Sequence, residues 1–229
     1  EYVLVRMAVA RHAQTPAAAI ADLAEDLYDG VRAAVVRRPS TTPDDLHRRS
    51  LDPSPEVRAE VAQHPNTSSS TLLQIAAEHP EPLSVAQNPK TPPEALEQMA
   101  GSPWVHLRVR VARHTGTPPA VLSWLARDPL RGVPDLPPRE DRAQAEREAD
   151  ARLEEGEQVR RAAAANPRTP TDTLTFLAGS PYRAIRLAVA ANPSTPAETL
   201  IALSDELDPV RTAAVQNPAA PWRSGVASP

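Results

Sequence analysis

A motif of about 26 residues recurs along this chain, and no other feature limits its fold so strongly. The clearest copy runs Ile-Arg-Leu-Ala-Val-Ala-Ala-Asn-Pro-Ser-Thr-Pro-Ala-Glu-Thr-Leu-Ile-Ala-Leu, from Ile185 to Leu203. The opening aliphatic falls at Val5, Val31, Val57, Leu107, Val159, Ile185 and Val210, and a degenerate copy at Glu81 keeps the later landmarks. The steps between these positions are 26, 26, 24, 26, 52, 26 and 25 residues. A unit this small cannot bury its own apolar face, so the period specifies a stacked array. The step of 52 is twice 26, so one repeat there has either degenerated or been replaced.

Each repeat reads as two short helices with two punctuation marks. The first half, Val-Arg-x-Ala-Val-Ala, places aliphatics at positions one and five and alanine at four, the stripe of a helix with one buried face. Asn-Pro or a substitute then stops it, because a residue before proline is pushed out of the helical region. The column is His12, Arg38, His64, Asn88, His114, Asn166, Asn192 and Asn217. Such side chains can hydrogen-bond backbone groups left open at the helix end.

Thr-Pro follows at Thr15, Thr91, Thr117, Thr169 and Thr195. Threonine is predicted to cap the second helix, with proline at its first position and capping boxes at Thr91 with Glu94 and Thr195 with Glu198. That helix carries Leu-x-x-Leu-small, except that Arg49 takes the second leucine position after Leu46. Asp52-Pro53, Ser102-Pro103, Asp128-Pro129, Ser180-Pro181 and Asp208-Pro209 are predicted to cap the next first helix in the same way.

The expected organisation is repeats one to five over 1–129, a charged insertion or degenerate repeat over 130–158, repeats six to eight over 159–221, and a tail over 222–229. Residues 139–157 carry eight acids and four arginines, a net −4; the whole chain is also −4, so the repeats are neutral. The 27 prolines recur in register and read as structural punctuation, and the aromatic content of 3% points to a core of small aliphatics. There is no cysteine, which removes disulfides and thiolate-bound metals within the chain. The chain opens at Glu1 already inside a repeat, with neither signal peptide nor apolar span, and the expectation is a piece of a cytoplasmic, bacterial-type protein.

The pattern Val-Arg-x-Ala-Val-Ala-x-Asn-Pro-x-Thr-Pro-x-x-x-Leu-x-x-Leu-Ala resembles the variant leucine-rich repeat family of bacteria. The resemblance covers nearly all of the chain outside the interruption and the tail after Pro221. It implies an all-α, right-handed α-solenoid of about eight repeats of 24 to 26 residues, each pairing an α-helix with a short 3-10 helix. Some relatives look to carry a cysteine-bound iron–sulfur cluster, which this cysteine-free chain cannot match, so no cofactor is expected.

Two columns are candidate binding surfaces. Arginine follows the opening aliphatic in all seven copies, at Arg6, Arg32, Arg58, Arg108, Arg160, Arg186 and Arg211. These form either a basic stripe for phosphates or an acidic peptide, or stacking elements whose heads pair with local carboxylates and helix-end carbonyls. Tyr28, Trp104 and Tyr182 recur at the repeat junctions, as interaction anchors or as local staples over the next helix. Trp124 and Phe176, inside second helices, are expected to be partly buried.

No catalytic motif stands out, and the histidines of the Asn column lie too far apart in register to share a metal. The functional expectation is a non-enzymatic scaffold for a protein or peptide partner, touching it through Arg108, Arg160, Arg186, Trp104, Tyr182 and Tyr28. Nucleic-acid binding through the arginine ladder is the alternative.

Overall fold

The computed structural model describes residues 2–79, 83–127, 154, 156–206 and 209–223. Among them there is no strand. The α-helices are α1 (Val3–Arg11), α2 (Ala17–Ala24), α3 (Asp29–Val36), α4 (Pro43–Arg49), α5 (Pro55–Gln63), α6 (Ser69–Glu78), α7 (Pro93–Ala100), α8 (Val105–Arg113), α9 (Pro119–Ala126), α10 (156–165), α11 (Thr171–Ala178), α12 (Arg183–Ala191), α13 (Ala197–Ser204) and α14 (Val210–Gln216). Two 3-10 turns, Val85–Gln87 and Pro221–Arg223, complete the series. Helices therefore come in pairs, one pair per repeat.

Both halves of a full repeat are α-helical, whereas the resemblance implied a 3-10 partner in each. Seven to ten residues are enough for i to i+4 bonding to take hold. The described 3-10 first half is Val85–Gln87, where Pro80 and Pro82 replace the residues that open the other first helices and remove two amide donors.

The chain forms two compact units, 1–99 and 100–229. In both, the aliphatic spine is what the period requires. Val31, Val57, Leu107, Val159, Ile185 and Val210 are buried, and so are Leu46, Leu72, Leu96, Leu122, Leu174 and Leu200 from the second helices.

The Asn column joins one repeat to the next. Asn192 Nδ2 donates to the carbonyls of Ala164 at 2.6 Å and Asn166 at 2.8 Å, in the preceding repeat. Its Oδ1 accepts the Ser194 amide at 2.8 Å, closing a turn after α12. Asn217 repeats this on Ala190, Asn192 and the Ala219 amide. His64 does the same with a ring, accepting the Asn66 amide on Nδ1 and facing the Arg38 carbonyl with Nε2 at 3.0 Å, which selects the tautomer protonated on Nε2. Arg38 spans the gap with its guanidinium, donating to the carbonyls of Ala10 and His12. A helix stop read locally in the sequence is thus also the polar seam of the stack.

Thr-Pro works differently from the prediction. The threonine hydroxyl donates back to a first-helix carbonyl six residues earlier, as in Thr117 to Val111 at 2.5 Å, Thr169 to Ala163 at 2.6 Å and Thr195 to Val189 at 2.6 Å. The N-cap is the next residue, Pro16, Pro118, Pro170 or Pro196, with no side-chain cap. Where that next residue is Thr42 or Ser68 it does cap, accepting the amides of Asp45 and Thr71. Buried threonine reaches an open carbonyl more directly than it reaches the helix ahead, so the Thr195 capping box does not form and the Thr91 hydroxyl is spent on Val85.

The junction residues are shifted as well. Asp52, Ser102 and Ser180 accept the amides of Ser54, Trp104 and Tyr182, two residues on, and those three residues are the N-caps of α5, α8 and α12. Asp128 and Asp208 lie outside the described residues.

Most of the interruption, 130–153 and Glu155, also lies outside the described residues. Its effect on the stack is nevertheless settled by its flanks. Asn166 Nδ2 donates directly to Ala112 at 2.7 Å and His114 at 3.0 Å, the same bonds that Asn192 makes across an uninterrupted step. Ser123 and Thr173 share a hydroxyl hydrogen bond of 2.7 Å between α9 and α11. The repeat at Val159 therefore sits on the repeat at Leu107. α10 already begins by residue 156, so the last three residues of 130–158 belong to the repeat.

Deleting 130–155 joins Asp128-Pro129 to Gly156-Glu157-Gln158-Val159 and restores the 26-residue step. That junction matches Ser180-Pro181-Tyr182-Arg183-Ala184-Ile185 position for position. The shortened chain is expected to change in stability by no more than about 1 kcal/mol, measured by thermal and denaturant melts followed by circular dichroism. Unfolding of the repeats after 159 would show that the removed residues carry the stack.

Candidate functional site

The arginine column is held at the repeat junctions by its own backbone. Arg108 Nη1 donates to the carbonyls of Ser102 at 2.9 Å and Pro103 at 3.0 Å, and Arg186 Nη1 to those of Ser180 at 2.8 Å and Pro181 at 3.0 Å. Arg32 and Arg58 repeat the arrangement. The other edge of the guanidinium meets a carboxylate twenty residues on: Arg6 with Asp26 at 2.6 Å, Arg32 with Asp52 at 2.8 Å, Arg186 with Glu206 at 2.8 Å. Asp26 is held below the ordinary carboxylate range by the hydrogen bond from Arg6, helped by the Tyr28 amide. For Asp52 burial opposes ionisation, but the hydrogen bonds from Arg32 and the Ser54 amide outweigh it and the net shift is downward. Arg160 differs: its Nε donates to Gly156 at 3.2 Å, and its guanidinium carbon lies 5.9 Å from the centre of the Tyr182 ring.

The carboxylate partners were missed in the sequence, where Asp52 read as a cap. Their signal is the i, i+20 recurrence of acid after arginine. It is easily overlooked because twenty residues is not the repeat length and the pair joins the two ends of one repeat.

The aromatic column occupies the N-cap positions of α3, α8 and α12. Tyr28 is 56% exposed and Trp104 45% exposed, while Tyr182 is half-buried beneath Arg160. Trp104 leans towards His106, with ring centres 6.2 Å apart. Among the predicted site residues, the structure brings Arg160, Tyr182 and Arg186 to one junction and sets Trp104 with Arg108 at another. Tyr28 lies in the first compact unit, beside Asp26.

A second surface is defined by residues expected to be partly buried. Phe176 is 56% exposed and Trp124 38% exposed. Each stands two positions after a buried leucine, Leu174 or Leu122, and two residues turn a helix by about 200°, which points the ring away from the core. The two rings hold equivalent positions in neighbouring repeats, and the Arg127 guanidinium lies 5.3 Å from the centre of Phe176. Elsewhere this column holds Asp22, Arg48, Gln74, Gln98 and Ala202, so aligning the repeats exposes the two aromatics as departures.

With paired helices, a repeating aliphatic spine and an Asn seam in place, the chain can be compared with known proteins. It is similar to a leucine-rich repeat variant. That solved structure, "a leucine-rich repeat variant with a novel repetitive protein structural motif", shares 24% identity over 91% of this chain and 84% of its own, with a TM-score of 0.44. No protein-family model and no curated protein matches the chain. The all-α repeat fold accordingly stands on the hydrogen bonds and burial described above.

Among the described residues no three His, Asp or Glu side chains gather as metal ligands, and no helix is long and apolar enough to cross a membrane. His12, His64 and His114 each accept a backbone amide two residues on, as asparagine does in the same column. The chemistry these surfaces offer is that of recognition: aromatic rings, guanidinium edges and hydroxyls held on short rigid helices.

Proposed function

We propose that this chain is a non-enzymatic repeat scaffold that binds a protein or peptide partner. The observation that carries the reading is the pair of exposed rings Trp124 and Phe176 on α9 and α11, with Arg127 over Phe176. Large apolar rings left in water by a well-packed protein mark interaction surfaces, and Trp and Arg dominate the energetics of such contacts. Trp104 and, in the other unit, Tyr28 are exposed rings at their own junctions, and Tyr182 is half-buried at another. Arg108 and Arg186 serve there by shaping the junction, and Arg160 by covering the Tyr182 ring.

The same geometry weakens the nucleic-acid alternative. Phosphate binding needs guanidinium groups that can leave their partners for the ligand, whereas those of Arg32 and Arg186 are bound on one edge by carbonyls and on the other by carboxylates.

Replacing both Trp124 and Phe176 by alanine is expected to leave stability within about 1 kcal/mol, since both rings are surface groups. Capture of the partner from a native lysate should fall by about tenfold or more. A Tyr28→Ala, Trp104→Ala chain measures the junction column separately. Recovery of the same proteins in the same yield by all three chains would end the proposal. A salt titration of DNA and RNA binding tests the alternative, because phosphate engagement must weaken steeply as salt rises.

A further inference from the structure

We infer that the groove between α2 and α4 binds an extended peptide through one acidic side chain, with Arg49 receiving that carboxylate in exchange for Glu25. The inference rests on the reading of this chain as a peptide-binding array and assigns a ligand class to a second place on it.

A groove also lies between α11 and α13, where Leu203 stands at the consensus position, and the one between α2 and α4 differs from it by one departure from the repeat. At the position of Arg49 the other repeats carry Leu23, Ile75, Met99, Leu125, Leu177 and Leu203. All but Leu23 are buried there. Here arginine brings a guanidinium to the groove, and the facing helix, reading Ala17-Ala18-Ala19-Ile20-Ala21-Asp22-Leu23-Ala24, has little bulk. The groove holds a cavity of about 500 Å³ with Ile20, Ala24 and Val36 on its floor. That is within the size range of a ligand site.

The wall is cationic. Arg38, Arg48 and Arg49 line it against two carboxylates, Glu25 and Asp45. Arg38 is committed to the carbonyls of Ala10, His12 and Ala13, and Arg48 pairs with Asp45 on its own helix. Arg49 is the adaptable one. Its side chain is 19% exposed and set into the wall, and it holds Glu25 through Nη2, while Nε and Nη1 have no protein acceptor among the described residues. Glu25, 75% exposed at the end of α2, already shows what Arg49 binds. A pair with one partner so open to water is worth little, so an incoming carboxylate that adds apolar contact on the floor and both edges of the guanidinium outcompetes it. A phosphate would gain nothing from Ile20, Ala24 and Val36, which is why the class is an acidic residue flanked by small aliphatic ones.

The test is a titration of the full chain with the blocked peptide acetyl-Ala-Val-Glu-Val-Ala-amide, followed by amide chemical shifts in α2 and α4. Saturable shifts are expected there. The glutamine version of the peptide should bind about tenfold more weakly, as should Arg49→Gln, which keeps the length of the side chain. Arg49→Leu restores the consensus residue, so it should abolish the shifts while raising the melting temperature. Glu25→Gln removes the resident competitor and should tighten binding about threefold. Absence of saturation in both the parent chain and Glu25→Gln overturns the inference, as do equal affinity for the glutamine peptide, unchanged binding by Arg49→Leu, or displacement of the peptide by inorganic phosphate at equal concentration. Arg49→Leu leaves Trp124 and Phe176 untouched, so partner capture that depends on them should persist in it. Failure of the peptide alongside intact capture would remove this site alone.

Discussion

Replacing Asn192 by aspartate is expected to destabilise the C-terminal repeats by about 4 kcal/mol or more at neutral pH. The change exchanges one amide nitrogen for oxygen, yet that nitrogen is the donor to both Ala164 and Asn166. An ionised carboxylate in its place would face two carbonyl oxygens in a buried site, with the Ser194 amide as its one remaining favourable contact. Asn192→Ala deletes the bonds without adding a charge. It should cost about 2 to 3 kcal/mol, because the Ala164 carbonyl at the end of α10 loses its donor while the Asn166 carbonyl keeps the Thr169 amide. The two variants also differ in their response to acid. Burial raises the pKa of the new aspartate, so its protonated form should regain a donor and recover part of the loss at about pH 5, relative to the alanine chain. Denaturant melts of both variants at the two pH values make the comparison. An aspartate chain no less stable than the alanine chain would mean that the Asn column is not the polar seam.

Asp52→Ala should cost about 3 kcal/mol, the lower end of the range for breaking a buried ion pair. The loss is large because Asp52 serves two purposes. Its carboxylate takes both Arg32 Nε and Nη2 at 2.8 Å and also accepts the Ser54 amide that turns the chain into α5. Removing it leaves Arg32 charged and largely enclosed, although the carbonyls of Asp26 and Leu27 still hold Nη1, which keeps the cost from the upper end. Acid provides a second readout. The folded pKa values of Asp26 and Asp52 are depressed, so the stability they contribute is present above the unfolded carboxylate value near pH 3.9 and is lost as pH falls through the folded values. Stability of the parent chain should therefore fall on acidification below about pH 4, more steeply than that of Asp52→Ala. Identical acid profiles would show that the pair contributes nothing.

How much of this was legible in the sequence varies with the range of the interaction. The helix pairs and the buried leucines followed from spacing, because which face a residue takes is a local property of the helix. The roles of the punctuation residues did not. Thr195 and Asp52 both have the composition of caps, but the choice between capping ahead and reaching back to an open carbonyl or across to Arg32 depends on distances that only the packed helices define. The arginine column had two readings for the same reason. Whether a guanidinium is free for a ligand is decided by what stands within 3 Å of it, and Asp26, Asp52 and Glu206 arrive there from the far end of the same repeat. Trp124 and Phe176 were readable in principle, since their offset from Leu122 and Leu174 turns them outward.

By itself the sequence determined that this is an array of paired helices: a 26-residue period of aliphatic stripes broken by proline admits little else, because such short helices are stable only when their apolar faces are stacked. Tertiary structure alone decided which repeats are neighbours, setting Val159 on Leu107 across a gap of 52 residues. It also decided which polar groups are consumed in the seams and which side chains, like the rings of Trp124 and Phe176, are left facing outward. Periodicity carries the direction of a side chain, but its partner is a matter of where another segment has come to rest.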